Sequence, residues 1–237
     1  NVEHPTIGGY RLPGAVAQLS ETPWGISPPA PQLGEHTTEV MNSIGSASGR
    51  NERKAGNRSA RAPLDGIRIV DMTRIWVGPY CTRQLADFGA DVIKIESSVF
   101  DPNSRAGGVI PTHADLSRNK RSVTVDLHTA DGQEAIRRLI AESDAVVENY
   151  AAGTLARWGL GYEDVRAVNP EVVYLSMPGW GSVGPYADHV LFGLQAQTAS
   201  GASYLWGHSD TTPRERCAIY YADFFVGSQA AFVIESA

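Results

Sequence analysis

The sequence predicts an α/β protein built on a doubly wound parallel sheet, and three observations lead there. Pro63–Glu96, PLDGIRIVDMTRIWVGPYCTRQLADFGADVIKIE, reads as one complete strand–helix–strand unit. A helical crossover between two strands implies a parallel pair and a right-handed turn. Strand then alternates with helix from residue 67 to residue 176, the pattern of an open parallel sheet covered on both faces.

In order, Ile67–Asp71 is β-branched and apolar, as a buried parallel strand is. Gly78-Pro79 opens a helix, since Pro in a first turn loses no needed N–H. Tyr80–Phe88 carries that helix, Gly89 closes it, and Asp91–Glu96 is the second strand. Ser97–Asp115 is a loop long enough to suggest function. Arg118, Lys120 and Arg121 cluster ahead of a strand at Ser122–Leu127. A helix starts at Thr129 and runs to about Ser143, with Ile136, Leu139 and Ile140 on one face. Asp144–Glu148 is a strand, Ala151–Trp158 and Tyr162–Val168 are short helices, and Val172–Ser176 is a strand. Leu194–Ser200 and Phe224–Ile234 have helical patterns. Ahead of all this, residues 1–43 are rich in Pro and Gly, with a short helix beginning at Thr37–Met41. Residues 44–62, rich in Ser, Gly, Asn and Arg, read as a flexible linker.

The composition sets limits on function. A net charge of −6 and a pI near 5.5 argue against non-specific nucleic-acid binding. No apolar run approaches ~18 residues, so no membrane-spanning helix is expected. Cys81 and Cys217 give neither zinc spacing nor a disulfide framework, so no metal is expected and a reducing, cytoplasmic setting is the default. The opening NVEHPTIGGY has no initiator Met, no basic start and no apolar core, and it is not a signal peptide.

Several residues carry candidate chemistry, each with a plainer alternative. The loop from Asp71 to Gly78 lies at the carboxyl end of a strand, where α/β sheets bind ligands. It lacks the G-x-G-x-x-G fingerprint of a dinucleotide site, and it reads equally as a simple strand–helix turn. The RNKR cluster suits phosphates or forms a solvated basic surface. Asn149 is placed to bind a ligand or to cap the next helix. Asp223, in CAIYYADFFVGSQAAF, is either an N-cap or a carboxylate nucleophile or base whose reactivity is set by burial. His189 and His208 read as solvent-facing loop residues.

From Pro63 onward the chain resembles the class III CoA-transferases, the family of formyl-CoA transferase, carnitine CoA-transferase and α-methylacyl-CoA racemase. The resemblance rests on PLDGIRIVDMTR…GPY, LADFGADVIKIE, RNKRSVTVDL, DAVVENYAAGTLARWGLGYEDVRAVNPEVVYLSMPGWGSVGPY and YADFFVG, in that order. It implies a Rossmann-like large domain, incomplete at its C-terminus. Residues 1–43, with LSETPWGISPPAPQLGEHTTEVM, resemble the C-terminal tail of the same family. The implied organisation is a tandem protein: residues 1–43 end one copy, 44–62 link, and 63–237 begin a second.

The resemblance implies CoA transfer between an acyl-CoA thioester and a carboxylate acceptor, with Asp223 as the covalent nucleophile. It implies CoA contacts at Trp76, Val77, Val125, Asp126, Leu127, His128, Asn149, Tyr150, Ala151 and Arg157, with Lys120 and Arg121 assisting the phosphates. Coenzyme A, as the acyl-CoA substrate, is the expected cofactor. Family members form interlocked dimers, so a dimer or a pairing of two fused copies is expected. Trp76 stands where formyl-CoA transferase has a glutamine, Ser97 where it has an arginine, and Leu191 where it has a lysine, which weighs against formyl-CoA and oxalate. The racemase's histidine falls near Phe192, and Phe cannot transfer a proton. Acyl-CoA racemisation and a non-catalytic scaffolding half are the two alternatives.

Overall fold

The computed structural model describes residues 1–14, 19–45, 62–97, 111–208, 210, 212 and 219–237. Most of the expected linker, most of the Ser97–Asp115 loop and Cys217 lie outside the described residues. The described elements are β1 (Val2–His4), β2 (Gly8–Tyr10), α1 (Thr37–Ser43), β3 (Arg68–Met72), α2 (Val77–Asp87), β4 (Asp91–Glu96), α3 (Pro111–Leu116) and β5 (Lys120–Thr124). They continue with α4 (Ala130–Ile140), β6 (Ala145–Glu148), α5 (Thr154–Arg157), α6 (Tyr162–Val168), β7 (Val173–Ser176), α7 (Gly193–Ala199), α8 (Ala202–Leu205) and α9 (Tyr221–Ser236).

Five strands form one wholly parallel sheet in the order β5–β4–β3–β6–β7, and β1 pairs antiparallel with β2 apart from it. The strand order reverses between β3 and β6. That is the switch point of a doubly wound sheet, and the crevice at its carboxyl edge is the expected ligand site.

Alternation along the strands divides the core in two. Val70, Met72, Ile93, Ile95 and Val123 face Ile136, Leu139 and Ile140 of α4 and Val165 of α6. Ile69, Val92 and Val147 face Cys81, Leu85 and Ala86 of α2, with Ala230 and Ala231 of α9 behind them. Gly89 ends α2 as expected: its φ of 98° is left-handed, and a side chain there would collide with Ala62. Pro79 lies inside the first turn, because α2 starts two residues earlier, at Val77.

The early segment is not a loose tail. His36 N–H donates to the Ser122 carbonyl at 2.9 Å, and Thr124 N–H donates to Thr37 Oγ1 at 3.0 Å. These bonds cover the open edge of β5, which would otherwise present unpaired backbone groups. Val40 of α1 is fully buried in the core beside α4.

The basic cluster is displaced from its expected position. β5 begins at Lys120, two residues before the expected strand, so Lys120 and Arg121 belong to the strand itself. Lys120 is fully buried and its ammonium donates to Asp71 Oδ2 (2.9 Å), Thr82 Oγ1 (2.7 Å) and the Pro79 carbonyl (3.0 Å). Arg118 pairs with Asp87 and Asp115, and Arg121 pairs with Asp91 and Glu39. The cluster is thus tied into ion pairs, with Lys120 and Arg118 buried and Arg121 partly exposed beside Glu39. Lys120 in particular has its three donors occupied inside the core.

Burial alone would raise the Asp71 carboxyl, but the Lys120 and Lys94 ammoniums and the Thr73 and Thr82 hydroxyls hold it well below the usual carboxylate range. Burial pushes Lys120 down to about 8 against the pull of Asp71, so the pair is ionised at neutral pH. Breaking such a pair from one side costs about 3–5 kcal/mol, because the remaining charge stays buried. Asp71→Asn is therefore expected to lose stability of that order in chemical denaturation. Asp71 titrates below its ordinary 3.8 in the folded state, so its stabilisation is complete above that value and is lost as pH falls through it. The variant should show a flatter acid limb than the parent in denaturation midpoints against pH.

Candidate active site

The switch point is organised by the loop from Thr73 to Trp76. Asp71, at the end of β3, accepts from both the backbone N–H (2.9 Å) and the hydroxyl (2.5 Å) of Thr73. Lys94 Nζ donates to the Thr73 carbonyl at 2.9 Å. The first residue of the loop is therefore held by two buried charges. Asn149, just past β6, holds the next: its Oδ1 accepts from Arg74 N–H (2.7 Å) and its Nδ2 donates to the Arg74 carbonyl (2.9 Å). Asn149 does not cap the following helix, whose N-cap is Gly153. It ties the two loops of the crevice together. Ile75 follows at φ 66°, a left-handed conformation that a β-branched residue adopts only when its surroundings enforce it.

On one side of this loop lies a shallow, open cleft at the carboxyl ends of β3 to β6. It is lined by Arg74, Ile95, Glu96, Ser97, Val125, Leu127, His128, Tyr150 and Trp158. Three of its walls are aromatic: Trp158 meets His128 edge-on at 5.1 Å and Tyr150 at 5.6 Å, and the Arg74 guanidinium sits 5.3 Å over the Tyr150 ring. Glu148, buried at the end of β6, accepts from Tyr150 N–H at 2.8 Å and from the Ser176 hydroxyl, which positions Tyr150. Asp126 accepts from His128 N–H at 3.0 Å and sets the turn into α4. Thr129 caps that helix by accepting from Gly132 N–H at 3.1 Å.

On the other side of the loop stands Asp223. Helix α9 starts at Tyr221, so Asp223 is its third residue and Tyr220 its N-cap; the N-cap reading of Asp223 is corrected. Asp223 and Gly227 are one turn apart on the same face. A Cβ on Gly227 would stand 2.8 Å from the Val77 carbonyl and 2.9 Å from the Tyr80 ring, so glycine there lets α9 lie close on α2. The same approach brings the Val77 backbone amide onto the Asp223 carboxyl. Aromatic rings surround the spot: Trp76 stacks on Tyr220 at 5.7 Å and meets Phe224 at 5.7 Å, and Tyr80 meets Phe224 at 4.9 Å. Burial raises the Asp223 carboxyl above its ordinary value, with the Val77 amide and its own amide opposing. Its Oδ2 is buried without a hydrogen-bond partner among the described residues.

The fold thus brings together most of the residues singled out in the sequence. Val125, Leu127, His128 and Tyr150 line the cleft, Asp126 and Asn149 brace it, and Trp76 and Val77 touch the Asp223 environment. Ala151 is exposed at the cleft's edge of the chain. Arg157 is exposed on α5, where it donates to Thr154 Oγ1 at 3.0 Å rather than lining the cleft. Lys120 and Arg121 serve the ion pairs described above. Arg74 and Trp158 were not singled out, although both lie inside the quoted sequence patterns; nothing in their spacing distinguishes them. Phe192 is the N-cap of α7 with an exposed ring, and His189 is exposed beside Tyr186. Cys81 is buried, and burial pushes its thiol up to about 12. No group of His, Cys, Asp and Glu suited to a metal occurs among the described residues, and none of their helices is long and apolar enough to cross a membrane.

A family model for CoA-transferase family III matches residues 64–237. This chain belongs to CoA-transferase family III. It is 36% identical over 190 residues to a succinate–glutarate CoA-transferase of Agrobacterium fabrum, covering 75% of this chain and 47% of that one. It is 38% identical over 175 residues to a succinyl-CoA–D-citramalate CoA-transferase of Chloroflexus aurantiacus, covering 71% and 43%. Among solved structures, a CaiB/BaiF family protein from Brucella suis superposes with a TM-score of 0.66 at 36% identity, over 74% of this chain and 49% of that chain. A Mycobacterium tuberculosis protein superposes with 0.66 at 29% identity, over 74% and 50%. The chain spans about half the length of the relatives it matches.

Asn149 is the brace whose removal is easiest to read. Asn149→Ala deletes both bonds to Arg74 and leaves that loop's amide and carbonyl without their partner. A loss of about 1–3 kcal/mol is expected, with faster hydrogen exchange confined to the Thr73–Val77 amides.

Proposed function

We propose that this chain carries the catalytic aspartate and the CoA cleft of a CoA-transferase, with Asp223 as nucleophile. The observation that supports this best is the pairing of the two sites through one loop. Arg74 lines the cleft, and three residues later the Val77 amide acts on the Asp223 carboxyl, so a thioester held in the cleft is delivered to a half-buried carboxylate.

The chemistry is covalent catalysis in balanced steps. An Asp223 oxygen attacks the thioester carbonyl, the C–S bond breaks, and CoA leaves as thiolate, giving a mixed anhydride. The thiolate attacks the Asp223 acyl carbon, releasing the donor acid as a carboxylate and leaving an aspartyl-CoA thioester. An acceptor carboxylate attacks that thioester and expels the thiolate again. The thiolate then attacks the acceptor's acyl carbon, giving the new acyl-CoA and restoring Asp223. Desolvation suits the first step, because a carboxylate with a bare oxygen is a better nucleophile than a hydrated one. The aromatic faces of His128, Tyr150 and Trp158 suit the flat adenine of CoA, and Arg74 suits its phosphates. The relatives named above act between succinyl-CoA or succinate and short dicarboxylates, which makes a short dicarboxylate the first acceptor to test. Two relatives are named as alpha and beta subunits, in keeping with an assembly of two copies, separate or fused.

The decisive experiment incubates the full-length protein with succinyl-CoA, traps with hydroxylamine and maps the peptide by mass spectrometry. A hydroxamate at Asp223 is expected, and Asp223→Asn should lose both the adduct and turnover. Full activity in Asp223→Asn overturns the assignment. Because burial raises the Asp223 carboxyl, and only its ionised form attacks, the acid limb of kcat/KM should lie above the ordinary carboxylate range of 3.8. Trp158→Ala should raise the acyl-CoA KM about 5- to 30-fold, the equivalent of about 1–2 kcal/mol of ring contact, with kcat little changed.

A further inference from the structure

The amino end of α7 closes on the Asp223 carboxyl through a residue that has no side chain. A Cβ built on Gly193 would stand 1.7 Å from Asp223 Oδ2 and 2.9 Å from its Cγ, which is overlap rather than contact. Gly193 is not among the glycines with a left-handed φ. Its backbone is one that alanine adopts freely, and alanine is the better helix former. The glycine is therefore required for space. A second, independent observation concerns the oxygen it faces: Oδ2 is buried and without a hydrogen-bond partner among the described residues. Buried carboxylate oxygens are normally satisfied, and one that is not calls for an explanation.

We propose that Gly193 is a positioning residue of the transfer reaction. Its bare Cα lets α7 pack directly against Oδ2, which keeps water off that oxygen and holds the carboxyl in its orientation on α9. The groups that act on the carboxyl are the burial supplied by this packing and two backbone amides, those of Val77 and Asp223 itself. The rings nearest it are those of Trp76, Tyr220 and Phe224, and none of these brings a charge at neutral pH. This arrangement leaves the carboxylate undersolvated, with no cation against it among the described residues. A methyl group at 193 pushes either the carboxyl or α7 away and lets water in.

This inference rests on the reading of Asp223 as the nucleophile, and the test separates the two. In the full-length protein, Gly193→Ala is expected to lower kcat and the hydroxylamine-trapped adduct at least 100-fold, with the Kd for free CoA changed less than about 3-fold. The acid limb of the residual kcat/KM should move down toward the ordinary carboxylate range as the carboxyl becomes hydrated, a shift that a merely loosened fold does not produce. Leu194→Ala, an exposed neighbour on the same helix, controls for damage to α7 and should retain the parent rate. Parent-like rate and acid limb in a folded Gly193→Ala overturn the proposal. If Gly193→Ala instead fails to fold, Gly193→Ser and Asp223→Asn/Gly193→Ala are compared by thermal unfolding. The proposal requires the double variant, whose amide can turn away without burying a charge, to be more stable than Gly193→Ala, and equal stability overturns it. Full activity in Asp223→Asn sinks the nucleophile reading itself, whatever Gly193 does.

Discussion

The buried pair of Asp71 and Lys120 is the constraint on which the rest of this fold depends. It lies between the sheet and α2, with both side chains fully buried and the donors of the ammonium all used. Such a pair contributes little net stability compared with a well-packed apolar replacement, since desolvation offsets most of its attraction. Its consequence here is geometric. The same carboxylate that neutralises Lys120 also holds Thr73, so the charge balance of the core and the path of the loop above it are one problem with one solution. Lys94, bonded to the Thr73 carbonyl from β4, draws a third strand into it. Three parallel strands thereby agree on where the crevice begins.

Above that anchor the crevice divides into two places with different physics. The cleft beside Tyr150 and Trp158 is open, aromatic and polar-edged, suited to holding a large soluble group reversibly. The environment of Asp223 is built from the rings of Trp76, Tyr220 and Phe224 and from glycine backbones that approach closely. Between them run only Arg74, Ile75 and Trp76, and the left-handed Ile75 turns the chain from one to the other. A strained residue persists only where its neighbours over-determine it. Here Asn149 fixes Arg74 on one side, and the first turn of α2 fixes Trp76 on the other through the Tyr80 amide at 2.8 Å.

The fold was legible in the sequence because its signals are local. Strand–helix alternation, the Gly89 stop and the Thr129 start each express a short-range preference, and the expected elements of the sheet and its helices appear within three residues at their ends; β1, β2 and α8 were not expected, and α3 (Pro111–Leu116) forms at the end of the segment expected to be a loop. The site was legible in part. Residues at the carboxyl ends of strands could be placed from topology alone. The RNKR cluster could not, because whether Lys120 points to solvent or into the core depends on where β5 begins, and a two-residue shift of that start turns a presumed surface into an interior. Trp158 and Arg74 were missed for a related reason. Each becomes part of the cleft only by meeting a ring from another loop, and no spacing within a segment encodes such a meeting.

The contrast between two aspartates shows why residue type and local composition do not reveal chemistry. Asp71 and Asp223 both lie in apolar sequence; Asp71 is fully buried and Asp223 half-buried. Asp71 has Lys120, Thr73 and Thr82 bonded to it and Lys94 close by, and its carboxyl is held low: it is charged, satisfied and inert. Among the described residues Asp223 has backbone amides beside it and no cation, its carboxyl is held high, and one oxygen is left without a partner. Both costs arise from the same burial, and the difference lies in whether compensation is supplied. For Asp71 the compensation fixes structure. For Asp223 the described residues supply little of it, and its carboxyl stays above the ordinary range. Beside it, the missing side chains of Gly193 and Gly227 leave the room in which α7 and α2 approach α9 closely, so the space around this carboxyl is set by backbone rather than by a paired charge among the described residues.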